Sequence, residues 1–119
     1  MGKLTTHVLD QLSGRPGKGI SLRLYRCAAD GAPEQMIRNG VTNDDGRCHQ
    51  PLLAGDEMKS GVYRLEFDVA AYYRRAGVEL PTPPFLDIVE IRFGIADAGA
   101  HYHVPLLVSP YGYSTYRGS

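Results

Sequence analysis

Across residues 61–69 the chain alternates without a break. Tyr63, Leu65, Phe67 and Val69 take one parity, and Arg64, Glu66 and Asp68 take the other. A period of two sends successive side chains to opposite faces of a strand, whereas a helix would spread those charges over its apolar stripe. The pattern returns elsewhere. Ile20, Leu22 and Leu24 form the apolar face of 20–26; Val89, Ile91, Phe93 and Ile95 form that of 85–95, with Glu90 and Arg92 opposed. Residues 4–10 read as a first strand, with Thr6, Val8 and Asp10 on one face and Thr5, His7 and Leu9 on the other; 35–42 is a weaker strand. A strand buried on one face needs a facing layer. Seven or eight of them at regular spacing therefore predict an all-β sandwich.

Turn chemistry fills the gaps. Residues 13–19 hold three glycines and a proline, without the spacing or the following helix of a phosphate-binding loop. Asp30-Gly31-Ala32-Pro33 reads as a turn, and Asn43-Asp44-Asp45-Gly46 carries the Asp-Gly signal of a β-hairpin. Residues 70–75 change to a helix-compatible composition and Gly77 suits the position after a helix end. One helix of about two turns is expected there. Pro81-Thr82-Pro83-Pro84 is a stiff connector, and 97–99 a turn into the final strands.

The chain of 119 residues predicts one domain over 1–119. A domain of that size buries roughly 65% of its extended-chain surface, enough for one core. Thirteen basic and thirteen acidic residues cancel, which argues against a nucleic-acid or anionic-membrane partner. No apolar run is long enough to span a bilayer. Lys3 has no apolar segment behind it and the final Arg-Gly-Ser is no peroxisomal address, so a cytoplasmic location is the expectation. Cys27 and Cys48 form no Cys-x-x-Cys pair and are expected as reduced thiols.

Chemistry concentrates at the end of the chain. In 101–110, Tyr102, Val104, Leu106 and Val108 share a core face, while His101, His103, Pro105 and Leu107 share the opposite one. Two imidazoles thus sit one pleat apart. Pro105 inside an interior strand demands a bulge or a missing ladder bond. Residues 109–112 form a turn, and 113–117 a return strand bringing Tyr116, Arg117 and the terminus back toward the histidines. His101 and His103 also have the spacing of metal ligands, and His7 could be a third, so a three-histidine zinc site is an alternative. No Gly-x-Ser-x-Gly elbow is present, nor a carboxylate pair with a shared site.

The terminal Tyr116-Arg117-Gly118-Ser119, the preceding His101-Tyr102-His103-Val104-Pro105-Leu106-Leu107 run and the 109–112 turn resemble the transthyretin-like family. Within that family they resemble its 5-hydroxyisourate-hydrolysing branch; the hormone carriers keep the strand but lose that ending and the histidines. Thr42-Asn43-Asp44-Asp45-Gly46-Arg47 looks like the enzymes' arginine-bearing loop, and Phe67-Asp68-Val69-Ala70-Ala71-Tyr72-Tyr73 like their strand-to-helix junction. The resemblance implies a sandwich of two four-stranded sheets with one short helix. It also implies ring opening of 5-hydroxyisourate to 2-oxo-4-hydroxy-4-carboxy-5-ureidoimidazoline, with no cofactor and no metal.

On that footing His7 and His103 are expected to handle the water and the leaving nitrogen. Arg47 would bind substrate and polarise the attacked carbonyl. Tyr116, Arg117 and Ser119 would complete the pocket, with His101 in a lesser role; His49 is left out. The family's assembly implies a homotetramer with sites at the dimer–dimer interface. The competing classes are a non-catalytic transthyretin-like carrier of a small ligand and a structural sandwich domain.

Overall fold

The computed structural model describes residues 2–28 and 34–119. The turn expected at Asp30-Gly31-Ala32-Pro33 lies outside the described residues. The strands are β1 (Lys3–Asp10), β2 (Arg15–Pro16), β3 (Ser21–Cys27), β4 (Gln35–Val41), β5 (Leu53–Ala54), β6 (Gly61–Asp68), β7 (Ile88–Ile95), β8 (His101–Ser109) and β9 (Gly112–Ser114). Helix α1 (Val69–Arg75) follows β6 directly. One sheet runs β4-β3-β6-β7 and is antiparallel throughout. The other runs β2-β1-β8-β9, with β5 also on β1. The expected sandwich is present, but this second sheet has five strands, not four. The outer edge of β1 is shared by β2 at Leu9 and Asp10, by Arg47 at His7, and by β5 at Lys3 and Leu4.

The inner faces follow the parity read from sequence. Leu22, Leu24, Tyr63, Leu65, Phe67, Val89, Ile91 and Ile95 meet Leu4, Val8, Tyr102, Val104, Leu106 and Val108 in a single core. Phe93 is only half-buried, and β7 begins three residues later than 85, leaving Phe85 exposed. The pairing of β1 with β8 is parallel and runs unbroken from Lys3 beside His101 to Asp10 beside Val108. These strands lie near opposite ends of the chain, so nothing local specifies the pairing.

Two polar residues of β1 are buried and both are satisfied. Thr6 Oγ1 donates to the Val104 carbonyl at 2.7 Å. The Asp10 carboxylate accepts from Tyr73 Oη at 2.7 Å, Tyr72 Oη at 2.8 Å, Ser13 Oγ at 2.8 Å and the Leu12 N–H at 3.0 Å. Tyr73 Oη also lies 2.9 Å from the Val108 carbonyl. Helix α1 is thus fastened to the β1–β8 pair through one carboxylate. It ends in a Schellman pair, Val78 N–H to the Tyr73 carbonyl and Gly77 N–H to that of Arg74.

Pro105 costs the sheet one ladder position without distorting β8. Leu107 pairs with Ser114 and His103 with Gly118, both in one register, which sets Tyr116 opposite Pro105. The missing N–H falls there, and the return strand is interrupted over 115–117. Thr115 Oγ1 donates instead to the Pro105 carbonyl at 2.7 Å. The β1 side of β8 is unaffected, because His7 faces Pro105 within an unbroken register.

Burial alone would raise the Asp10 pKa, but the hydrogen bonds from Tyr73, Tyr72, Ser13 and Leu12 outweigh it and hold the carboxyl below its usual value. A depressed carboxylate contributes stability above its unfolded pKa and loses it as pH falls through the folded one. Tyr73→Phe is expected to cost about 1–3 kcal/mol at neutral pH by denaturant unfolding. The difference in stability between wild type and Asp10→Asn should shrink as pH falls below about 3.9. A constant difference across that range would show that ionised Asp10 contributes nothing.

Candidate active site

The Asp-Gly turn forms, but it does not make the expected hairpin. Asn43 Oδ1 accepts from the N–H groups of Asp45 and Arg47 at 2.9 and 3.1 Å, and Gly46 N–H donates to the Asn43 carbonyl at 2.9 Å. The chain then leaves β4 and crosses to the other sheet, where the Gly46 carbonyl accepts from Val8 N–H at 2.8 Å. Gly46 has φ +74°, and a Cβ there would lie 2.4 Å from the Val8 carbonyl oxygen. Only glycine allows the loop to dock this closely. Thr42 anchors its start, accepting from Ile20 N–H at 2.9 Å and donating to the Gly17 carbonyl at 2.6 Å. The outcome is Arg47 bridged to His7.

From Arg47 the chain runs antiparallel along β1 and rejoins it at Leu53 beside Leu4. Residues 48–51 bow away between these pairings. The space they leave is a cleft of about 500 Å³. Its floor is Lys3, Thr5 and Thr6 of β1 with His103 of β8; its wall is Arg47, Cys48, His49, Gln50 and Pro51; Ser119 closes one end. No Asp or Glu side chain lines it.

The parallel register places Thr5 beside His103 and His7 beside Pro105. The His7 and His103 rings are 6.5 Å apart between centroids, tilted by 36°. Thr5 Oγ1 lies 2.8 Å from His103 Nδ1. Burial lowers the His103 pKa from 6.5, and the charges of Arg47 and then His7 push the same way. His103 therefore stays neutral at physiological pH and can accept a proton. Burial also pushes up the Cys48 thiol, and neither cysteine is in a disulfide.

The sequence-predicted residues divide into two groups. Arg47, His103 and Ser119 come together at the cleft, and His7 stands next to it without lining it, paired with Arg47 and 6.5 Å from the His103 ring. His101 is exposed, and its carbonyl accepts from Arg117 Nη2 at 3.0 Å. The Arg117 guanidinium lies 4.3 Å from the centroid of Tyr102, a core-facing ring, so it is turned from the imidazoles. Tyr116 is exposed opposite Pro105. Sequence reasoning missed Thr5, although it shares the face of His7; only the parallel register brings it to His103. It also passed over His49, which lines the cleft. Among the described residues no three His, Cys, Asp or Glu side chains converge as metal ligands. Among the same residues no helix is long and apolar enough to cross a membrane.

Comparison with known proteins places this geometry in context. Residues 4–118 match the model of the HIUase/Transthyretin family. A 5-hydroxyisourate hydrolase of Ralstonia nicotianae is 58% identical over 119 residues, covering 100% of both chains. The solved structure of Klebsiella pneumoniae 5-hydroxyisourate hydrolase is 35% identical with a TM-score of 0.80, covering 100% of both chains. A structure of (S)-allantoin synthase is 42% identical with a TM-score of 0.92 over 99% of this chain, which spans 44% of that longer one. With the family model matched from the first strand to the tail, this chain belongs to the HIUase/Transthyretin family.

Proposed function

We propose that the chain hydrolyses 5-hydroxyisourate, opening its cyclic amide. The observation that carries this reading is His103 at a cleft lined by no Asp or Glu side chain, next to His7 and Arg47, with burial and those two charges lowering its pKa. Full-length likeness to a 5-hydroxyisourate hydrolase supports it. His103 takes a proton from water as the oxygen adds to the ring carbonyl. Arg47 holds the developing oxyanion through its planar fork of donors. As the carbon–nitrogen bond breaks, the proton passes to the departing nitrogen, with His7 placed to orient the water or deliver that proton. The products of this step are a freed N–H and a carboxylic acid, which loses its proton to solvent at neutral pH to leave a carboxylate. A cleft rich in cationic and neutral donors favours both the oxyanion and the carboxylate.

The shared site of a homotetramer belongs to the same reading. Among the described residues the outer edges of β7 and β9 carry no further strand, and open edges favour pairing with another copy. Tyr116 and Arg117, at the rim, are then positioned to close a cleft across the axis. The alternative, a non-catalytic carrier, has no use for a neutral imidazole held beside a guanidinium.

The deciding experiment follows the ultraviolet decay of freshly generated 5-hydroxyisourate with and without the protein. Decay faster than the spontaneous rate, and surviving exhaustive chelation, is expected. Unchanged decay would remove the enzyme reading, and loss with EDTA restored by zinc would favour metal chemistry.

Arg47→Lys should lower kcat by about 10²–10³-fold, as for loss of an oxyanion donor, with little change in melting temperature. The rate should also fall as pH drops through the His103 pKa, giving an acid limb below 6.5. In Arg47→Gln the His103 titration, read by NMR, should move back up toward 6.5, since one of the charges that depresses it is gone. An unmoved titration would place Arg47 too far from His103 for a common role.

Sedimentation at assay concentration should show a tetramer, and deletion of residues 116–119 should weaken assembly and activity together. A fully active monomer would exclude a shared site.

A further inference from the structure

His103 is gripped by two residues that take no part in the chemistry proposed above. Thr5 Oγ1 lies 2.8 Å from Nδ1, brought there by the parallel register of β1 on β8. From the other side Gly118 exchanges backbone hydrogen bonds with His103, N–H to carbonyl at 2.7 Å and carbonyl from N–H at 3.3 Å. A Cβ on Gly118 would lie 2.9 Å from His103 Cδ2, 3.0 Å from its Cβ and 3.3 Å from its Cγ. Real Cβ atoms do not approach so closely, so any larger residue would have to displace the imidazole. Gly118 has no positive φ to explain it; the ring explains it.

A neutral imidazole has one N–H and one bare nitrogen, and the partner of one nitrogen decides which is which. We propose that Thr5 and Gly118 are positioning residues that lock His103 as its Nδ1–H tautomer, with Nδ1–H donated to Thr5 Oγ1 and Nε2 left as the bare nitrogen toward the cleft. The inference rests on the reading of His103 as the group that acts on water. A hydroxyl can accept or donate; in the proposed tautomer Thr5 Oγ1 accepts the Nδ1–H. Gly118 removes the steric freedom the ring would otherwise have, so the base is held in one rotamer as well as one tautomer. This also gives Gly118 a physical reason: it is the wall against which the base rests.

The charged and titratable side chains sharing this site are Arg47, Cys48 and His49 from the segment after β4, and Lys3 and His7 from β1. None of them hydrogen-bonds the His103 ring, and Thr5 Oγ1 is the side-chain partner of its Nδ1.

The test is long-range proton–nitrogen NMR of the full chain labelled in histidine nitrogen, at a pH above the His103 titration. Wild type should show His103 as the Nδ1–H form. Thr5→Val, which keeps the shape and removes the hydroxyl, should yield a mixture or the Nε2–H form. Its kcat should fall about 10–100-fold, the usual effect of losing a group that orients a histidine, with KM little changed. Thr5→Ser should restore both the spectrum and kcat. Gly118→Ala should lower kcat at an unchanged melting temperature, because the tail is bound only at the sheet rim.

A wild-type Nε2–H form, or a Thr5→Val protein with the wild-type spectrum and kcat, would overturn the lock. Wild-type kcat in Gly118→Ala would overturn the part assigned to Gly118. The spectrum needs no substrate. A wild-type protein that does not speed 5-hydroxyisourate decay yet shows a Thr5-dependent Nδ1–H form would remove the functional reading and uphold the lock.

Discussion

The parallel pairing of β1 with β8 is the contact on which the remainder depends. It joins residues 98 positions apart, so its backbone hydrogen bonds must offset the loss of entropy in closing most of the chain into a loop. What holds the register is polar and internal. Thr6 Oγ1 reaches the Val104 carbonyl, and the Asp10 carboxylate sits under Tyr72 and Tyr73, with Tyr73 also reaching the Val108 carbonyl. A slip of one residue would strand these groups without partners in the core, where an unpaired polar atom is expensive. It would also turn every side chain of β1 to the opposite face, carrying Thr5 and His7 away from His103. Core and site therefore share one specification.

The cleft arises from what is left unpaired. The segment after Arg47 leaves the edge of β1 at His7 and returns at Leu4, and the gap opens Thr5 to the space between. Loops positioned by a rigid sheet are a usual place for chemistry. Here the loop is fixed at both ends by backbone bonds to β1, and at its start by a buried threonine.

Charge is segregated although the total is zero. On the outer face of the other sheet Arg23 meets Glu66 and Asp68, and Arg64 meets Glu34, Glu66 and Glu90. Glu34 is held down to about 2 by Arg64 and by hydrogen bonds from Cys27 and Arg92. Glu34, Glu66, Asp68 and Glu90 are occupied there, and the cleft retains Lys3 and Arg47 without a side-chain carboxylate among its lining. Burial lowers the His103 pKa, and the charges of Arg47 and His7 add to the effect. A whole-chain net charge carries no trace of it.

Strand parity was legible because burial on one face leaves a period of two in the sequence, and each buried face named from 20–26, 61–69 and 102–108 matches the core. The short helix was legible from its composition and from Gly77. The missing ladder bond at Pro105 followed from proline having no N–H, although its place on the return-strand side did not. The family signature at 116–119 and the Arg47 loop were legible as motifs. What remained hidden was everything requiring a partner strand. The Asp-Gly turn promised a hairpin, and tertiary pairing of Gly46 with Val8 sent the chain to the other sheet. Thr5 and His49 carried no local mark, and neither did the contact of the Arg117 guanidinium with Tyr102. The sequence by itself determined which faces are buried and which residue types can do chemistry, since both follow from side chains one or two positions apart. Only the tertiary structure decided which of those residues meet, because register between distant strands is set by long-range backbone bonds that no local period records.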